Sequence, residues 1–191
     1  IPKEVKKKDN EKVNIIFVGR LAYPKRVDLL IEAFSLLSPS LQNSACVEII
    51  GDGSQHRKLA DLVERKGLQK NIVLTGALDH QIVLEKMEMA DIFVLLSKHE
   101  GFPITILEAM SRGLPIIASA VGGIPEQFDS SSGTLVKNYP QSVARALEHM
   151  ICDRDARVRA GEAARARCAR LFSEDECLNR VDRVYHRALS K

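Results

Sequence analysis

The chain contains no tryptophan, three tyrosines and four cysteines among its 191 residues. No apolar run approaches the roughly 20 residues that a membrane-spanning helix needs, so a transmembrane segment is not expected. The cysteines show no Cys-x-x-Cys spacing, which disfavours a metal site or a disulfide framework and favours reduced thiols in a cytoplasmic protein. The first residues, I-P-K-E-V-K-K-K, include neither an initiator methionine nor the apolar stretch of a secretory signal. We therefore expect a fragment or a processed chain.

Three further absences narrow the classes of function. No G-x-G-x-x-G is present, which disfavours a nicotinamide-dependent enzyme. No spacing of metal-ligand residues is visible, so we expect neither a metal nor another cofactor. The net charge is only +3, and no aromatics are interleaved among the arginines, so a nucleic-acid partner is not expected. The late arginines predict a solvated helix face, with an acidic membrane surface or a partner protein as alternatives; they are Arg154, Arg157, Arg159, Arg165, Arg167 and Arg170.

Short β-branched runs alternate with helical patterns along most of the chain. The predicted strands are Val13–Val18, Cys46–Ile50, Ile72–Thr75, Ile92–Leu96, Pro115–Ser119 and Thr134–Val136. Apolar residues at helical spacing lie between them, and Gly67 and Gly113 stand where helices would end. Strands that are apolar on both faces and separated by helices predict an α/β fold with a doubly wound, mostly parallel, Rossmann-like sheet.

The two ends of the chain differ from this pattern. Residues 1–12 predict a charged linker and residues 13–172 the Rossmann-like domain. After helices starting near Pro140 and at the cap Asp153, residues 173–191 predict a last helix that begins with a capping box, Ser173 and Glu176. Its apolar stripe, which includes Val181, Val184, Tyr185 and Leu189, must pack on something.

The segment S-K-H-E-G-F-P-I-T-I-L-E carries the strongest functional signal. It joins a strand to a helix, and its carboxylates Glu100 and Glu108 flank that junction. A helix N-terminus attracts phosphate, whereas carboxylates accept hydrogen bonds from sugar hydroxyls. The combination favours a nucleotide sugar. His99 precedes Glu100 but is interpreted as a solvent-facing loop residue, and the other histidines show no partner pattern.

The loop after the first predicted strand, G-R-L-A-Y-P-K-R, supplies the opposite charge. Arg20 and Lys25 project from the end of a strand, where a guanidinium and an ammonium group could clamp a diphosphate. The alternative is that both are surface cations. The glycines of G-D-G at 51–53 are weak evidence, because tight turns need glycine anyway.

These segments together resemble the carboxyl-terminal half of the retaining glycosyltransferases of family 4, the group 1 enzymes with the two-Rossmann GT-B fold. The matching segments are V-G-R-L-A-Y-P-K-R-V-D-L-L-I-E-A-F, I-I-G-D-G, I-V-L-T-G, A-D-I-F-V-L-L-S, E-G-F-P-I-T-I-L-E-A-M-S-R-G-L-P-I-I-A-S and V-G-G-I-P-E. They occur in the order of the family and cover roughly residues 13–137. A single E-x7-E spacing is weak evidence, whereas the ordered set is specific.

The resemblance implies a role for each matching residue. Arg20 and Lys25 would bind the donor diphosphate, Glu100 would contact the transferred sugar, and these three residues would be the catalytic ones. Glu108 would hold the ribose. The remaining donor contacts would be Gly19, Gly76, Ala77, Leu78, Gly101, Phe102, Ile104 and Thr105. Two positions depart from the pattern: Pro103 has no N–H, and Arg26 replaces a common glycine, which leaves open whether Lys25 or Arg26 faces the diphosphate.

The implied function is transfer of a sugar from a nucleoside diphosphate, with UDP favoured, to an unknown acceptor in glycan, polysaccharide or glycolipid biosynthesis. An amino-terminal Rossmann domain would supply the acceptor site and cover the last helix, so we expect the chain alone to bind donor weakly without transferring it. A cytoplasmic location, with peripheral contact at the inner membrane face, fits this interpretation. The alternatives are a nucleotide-sugar epimerase and a non-catalytic domain that senses nucleotide sugars.

Overall fold

The computed structural model describes residues 12–189. Within them, six strands form one parallel sheet in the order β3-β2-β1-β4-β5-β6. The strands are β1 (Val13–Val18), β2 (Ala45–Ile50), β3 (Ile72–Gly76), β4 (Ile92–Leu95), β5 (Ile116–Ser119) and β6 (Gly133–Val136). Each predicted strand is present within a residue or two of its predicted limits. The predicted linker at residues 1–12 lies outside the described residues except for Lys12.

Helices cover both faces of the sheet. They are α1 (Val27–Ser35), α2 (Pro39–Asn43), α3 (His56–Arg65), α4 (His80–Met89), α5 (Ile104–Ser111), α6 (Ile124–Gln127), α7 (Pro140–Cys152), α8 (Arg154–Leu171) and α9 (Glu174–Leu189). Every residue of β4 and β5 is buried, because these central strands are covered on both sides. The doubly wound α/β fold is therefore confirmed. The short helices α2 and α6 were not predicted from the sequence.

None of the helices within residues 12–189 is long and apolar enough to cross a membrane. The four cysteines carry free thiols. Burial raises the pKa of the Cys46 and Cys168 thiols, so both stay protonated at neutral pH.

Helix α8 corrects the interpretation of the late arginines as a solvated face. Arg157 donates to the carbonyls of Met150 and Ile151 at the end of α7, at 2.6 and 3.0 Å. Arg165 donates to the carbonyl of Arg112, which follows α5. These carbonyls have no partner within their own helices, so the guanidinium groups complete helix C-termini. Much of the positive charge in this segment is therefore structural.

Arg167 does the same for α6 and the loop that follows it. Its guanidinium donates to the carbonyls of Glu126 and Gln127 at 3.1 and 2.8 Å, and to a carboxylate oxygen of Asp129 at 2.9 Å. The hydroxyl of Ser131 is the main cause that lowers the pKa of Asp129, and Arg167 adds to the effect. The carboxylate is therefore ionised at neutral pH and the pair remains charged.

Helix α9 contains no buried residue. The amide of Glu176 donates to the Ser173 hydroxyl at 3.3 Å, whereas the Glu176 carboxylate binds Arg180 and Arg183 instead of completing the predicted capping box. The predicted apolar stripe is exposed, with Val184 66% and Leu189 83% accessible. The boundary proposed at residue 173 stays a prediction.

We expect Arg167→Ala to lower the free energy of unfolding by about 2 kcal/mol, because it leaves two carbonyls and a carboxylate without their charged donor. Urea denaturation followed by circular dichroism measures the loss. Arg170→Ala is the matched control, since Arg170 is exposed on the same helix. Its effect should stay within ~0.5 kcal/mol. Equal effects of the two substitutions would contradict a structural role for Arg167.

Candidate functional site

The candidate site lies where the direction of winding of the sheet reverses. Strands β1 and β4 are neighbours, yet the chain proceeds from β1 outward to β3 and from β4 outward to β6. Ligands of doubly wound sheets bind beyond the carboxyl ends of the strands at such a point. The loops that leave these two strands, residues 19–26 and 96–103, are the ones that the sequence motifs indicate.

The structure brings Lys25 and Glu100 together across this point. The Lys25 Nζ lies 2.6 Å from Glu100 Oε1, although the residues are 75 positions apart. The Glu100 side chain is only 10% exposed, and a carboxylate so far from water needs compensation. Ser97 supplies more of it, because its hydroxyl donates to the same oxygen at 2.6 Å. A cation and a carboxylate of the predicted site thus share one small volume.

Arg26 points away from this pair. Its guanidinium binds Asp28, with 3.1 Å between Nε and Oδ2. Its backbone has φ 46° and ψ 43°, and it is the one non-glycine residue with positive φ among residues 12–189. This is the left-handed region, in which glycine is favoured. Lys25, not Arg26, therefore reaches Glu100.

Both loops rest on the backbone of a neighbouring loop. A Cβ at Gly51 would lie 1.9 Å from the carbonyl oxygen of Gly19, and a Cβ at Gly122 would lie 1.8 Å from that of Glu100. Both residues also have positive φ, 141° and 53°. The glycines after β2 and β5 therefore set the positions of the two loops that form the site. Gly51 thus matters more than the ordinary turn residue that its sequence context indicates.

Helix α5 begins directly after the Glu100 turn. Pro103 is its N-cap residue, and no side chain caps the helix. The missing N–H of Pro103 therefore costs the helix nothing, and the amides of the first turn, at Ile104 and Thr105, are available to an anion. The side-chain amide of the buried Gln127 donates to the Pro103 carbonyl at 2.9 Å and holds the turn from behind. Phe102 is 45% exposed and packs edge-on against Phe172.

Glu108 lies slightly more than one turn into α5, ~6 Å along the helix axis from Ile104. Its Oε1 is 3.5 Å from Nε2 of His80, the first residue of α4. The sequence shows no partner pattern for His80, so this contact was not predicted from it. Gly76 ends β3, and Leu78 packs partly buried on the core. The predicted ribose contact thus lies on α5, and the predicted base contacts lie at the end of β3 and in the loop that leads to α4.

Tyr23 and Lys98 join the two loops at the surface. The Lys98 ammonium donates to the Tyr23 hydroxyl at 3.1 Å and lies 5.2 Å from the centre of its ring. This hydrogen bond, with the charge of Lys98, lowers the pKa of Tyr23. The Lys98 amide also donates to the Pro24 carbonyl at 2.7 Å. These contacts were not predicted from the sequence, because the residues are 75 positions apart.

The remaining predicted residues lie around this centre without joining its contacts. Arg20 is exposed on the loop after β1, and Gly19 donates its amide to the Ile50 carbonyl at 3.0 Å. Gly101 accepts a hydrogen bond from the Gly123 amide at 2.8 Å. No group of three or more His, Cys, Asp or Glu side chains in residues 12–189 could hold a metal ion. The expectation of a metal-free site stays a prediction.

The fold and these motifs match a known family. The family model for "Glycosyl transferases group 1" matches residues 2–167. The chain belongs to this family, and its fold is that of the carboxyl-terminal domain of GT-B glycosyltransferases.

Individual proteins show the same likeness. The chain is 32% identical over 177 residues to a phosphatidylinositol N-acetylglucosaminyltransferase subunit of Arabidopsis thaliana, and the match covers 93% of this chain and 39% of that protein. It superposes on the carboxyl-terminal domain of a group 1 glycosyltransferase from Francisella tularensis with a TM-score of 0.78 and 24% identity, covering 88% of this chain and 95% of that one. It also superposes on Anabaena HepE "in complex with UDP-glucose" with a TM-score of 0.78 and 22% identity, covering 94% and 49%.

The length of the chain is a second finding. It spans less than half the length of the curated relatives that it matches, for example 39% of the Arabidopsis protein and 49% of the N-acetyl-α-D-glucosaminyl L-malate synthase of Bacillus anthracis. More than half of each of those proteins therefore lies outside the region that matches this chain.

We expect Arg26→Gly to give a more stable protein than Arg26→Ala, by about 0.5–1 kcal/mol. Both substitutions remove the ion pair with Asp28. Only glycine relieves the ~1–2 kcal/mol cost of the left-handed backbone, which exceeds its ~0.5–1 kcal/mol entropic disadvantage. Thermal and urea denaturation of the two variants measure the difference. At an ordinary helical or extended position alanine would be the better residue, so the usual order would contradict a left-handed Arg26.

Proposed function

We propose that this chain is the donor-binding domain of a retaining glycosyltransferase and takes a nucleoside diphosphate sugar, with a UDP-linked hexose or N-acetylhexosamine favoured. The observation that carries the proposal is the pairing of Lys25 with Glu100 at the reversal point of the sheet. A cation for phosphate and a largely buried carboxylate for sugar hydroxyls meet there, beside the uncapped N-terminus of α5. A nucleotide sugar is the ligand class that uses all three features.

The chemistry assigned to these residues is electrostatic. Cleavage of the bond between sugar and diphosphate builds negative charge on the leaving phosphate and positive charge on the sugar ring. Arg20, Lys25 and the first amides of α5 stabilise the former, and one preorganised donor of this kind is typically worth ~3 kcal/mol of the barrier. Glu100 stabilises the latter and holds sugar hydroxyls. Glu108 accepts hydrogen bonds from the ribose.

Two structural neighbours support a UDP donor. HepE was solved with UDP-glucose, and the pneumococcal GtfA with UDP and GlcNAc. Both are under 25% identical to this chain, so the likeness shows the shared fold alone. The identity of the sugar and of the nucleotide base is therefore proposed. The acceptor is assigned only to the general class of glycan, polysaccharide or glycolipid precursors.

A second Rossmann domain completes the enzyme in this proposal. The chain spans less than half of its curated relatives, and α9 exposes an apolar stripe that nothing in residues 12–189 covers. We propose that this stripe packs on an amino-terminal domain of the same protein, which also supplies the acceptor contacts. The whole protein then works in the cytoplasm, with peripheral contact at the inner membrane face.

Calorimetric titration of the chain with UDP, GDP and ADP tests the donor site. We expect one nucleotide, UDP, to bind selectively. Arg20→Ala and Glu108→Ala should each weaken that binding roughly tenfold or more, since each removes a charged partner worth ~1.5–3 kcal/mol. Arg159→Ala and Glu148→Ala are the matched controls, because they remove the same charges from exposed positions on α8 and α7. Binding that survives Arg20→Ala and Glu108→Ala would place the nucleotide elsewhere.

Sugar transfer tests the need for the second domain. We expect the chain alone to release no UDP from UDP-glucose or UDP-N-acetylglucosamine in the presence of acceptors, and the protein with its amino-terminal half to do so. Val184→Asp on α9 should leave the stability of the isolated chain unchanged, because Val184 is exposed there, and should weaken association of the two halves. Transfer by the isolated chain would contradict the need for a second domain.

A further inference from the structure

A chain of polar side chains, two buried serines and the half-buried Asn138, runs behind Glu100 and has no role in the function proposed above. The Ser119 hydroxyl, at the end of β5, donates to the Asn138 side-chain oxygen, and the Asn138 amide donates to the Ser97 carbonyl at 3.0 Å. The Ser97 hydroxyl then donates to Glu100 Oε1 at 2.6 Å. Ser97 is 0% and Ser119 1% exposed. The chain thus connects the ends of β4, β5 and β6 to the carboxylate.

The chemistry of the groups permits one arrangement of protons. A carbonyl can only accept, so the Ser97 carbonyl must face the Asn138 nitrogen. The Asn138 oxygen then faces Ser119, whose hydroxyl must donate to it. An ionised carboxylate only accepts, so the Ser97 hydroxyl must point toward Glu100. Both hydroxyls and the Asn138 amide group thus have an acceptor, and the orientation of Asn138 follows from its partners.

As a result, the two carboxylate oxygens of Glu100 differ in their hydrogen bonds. Oε1 receives both Ser97 and Lys25. Within residues 12–189 the structure assigns no hydrogen bond to Oε2. A carboxylate oxygen has about two acceptor positions, so Oε1 is filled and Oε2 is left for a ligand. Rotation of the carboxylate would exchange the two oxygens only by breaking these short contacts.

We propose that Asn138 is a positioning residue of the sugar subsite: it fixes the ends of β4 and β5 to each other so that Ser97 holds Glu100 Oε1 and Oε2 stays available to sugar hydroxyls. This inference rests on the proposed function. In this proposal Asn138 does not contact the ligand and acts through Ser97. Alignment of this kind matters because displacements well below 1 Å change how a carboxylate meets its partner.

The first test compares UDP with UDP-glucose and UDP-N-acetylglucosamine. The measured quantity is the affinity for the sugar nucleotide that binds more tightly, divided by the affinity for UDP. Asn138→Ala and Asn138→Asp, the latter of which keeps the side-chain size, should each lower this ratio roughly tenfold. That is the typical effect of losing a hydrogen bond to a charged group. The affinity for UDP should change less than ~2-fold, because the nucleotide contacts lie elsewhere. Gln141→Ala, an exposed change in the next helix, should alter neither.

A double-mutant cycle identifies the route of the effect. If Asn138 acts through Ser97 and Glu100, Ser97→Ala should lower the same ratio, and adding Asn138→Ala should lower it little further. Equal weakening of UDP and sugar nucleotide by the Asn138 variants would show a general structural role and overturn the inference. So would an unchanged ratio, or full additivity in the cycle.

Amide hydrogen exchange gives a readout that needs no ligand. In Asn138→Ala the amides of residues 98–101 should exchange roughly tenfold faster than in the unsubstituted chain, whereas Gln141→Ala should leave them unchanged. Unchanged exchange in Asn138→Ala overturns the positioning role even if nucleotides bind. Failure of every nucleotide to bind the unsubstituted chain removes the donor site and the sugar subsite together, so the two failures are distinguishable.

Discussion

The geometry of the site depends on loops that touch backbone to backbone. The loop after β1 lies on the glycine turn after β2, and the loop after β4 lies on the glycine turn after β5, with a carbonyl oxygen where a Cβ of Gly51 or Gly122 would be. No side chain separates the members of either pair. Backbone contact therefore fixes the position of each functional loop above its half of the sheet. Lys25 and Glu100 meet where the two halves join. A longer contact at either glycine would separate the cation from the carboxylate.

The parts of the fold that the sequence predicted are those governed by local pattern. Strands buried on both faces must be apolar throughout, so their limits could be predicted to within a residue or two. The same holds for the turn that carries Glu100, since it follows such a strand and precedes a helix. The resemblance to a family then added the roles of Arg20, Lys25 and Glu108, which no local pattern specifies. The family and the fold are confirmed, whereas these roles remain proposals.

The parts that escaped prediction depend on contacts between distant residues. Arg157 and Arg167 looked like solvated charges, because a sequence does not show that helix ends with free carbonyls lie beside them. Asn138 lies 41 residues from Ser97, and nothing in its own surroundings marks it as a polar bridge between strand ends. Ser97 offered a weak signal, because it directly follows a wholly apolar strand three residues before Glu100. Such a serine is buried and must find a partner.

The ion pair between Lys25 and Glu100 also means that the site contains its own counterion before any ligand binds. A diphosphate that binds Lys25 exchanges one anionic partner for another, so Lys25 itself adds little to the long-range attraction of anions. The exchange leaves Glu100 next to a new negative charge. A diphosphate that carries a sugar brings hydroxyl donors to this carboxylate, whereas free pyrophosphate brings none. The pair would thereby favour a diphosphate that carries a sugar over one that carries none.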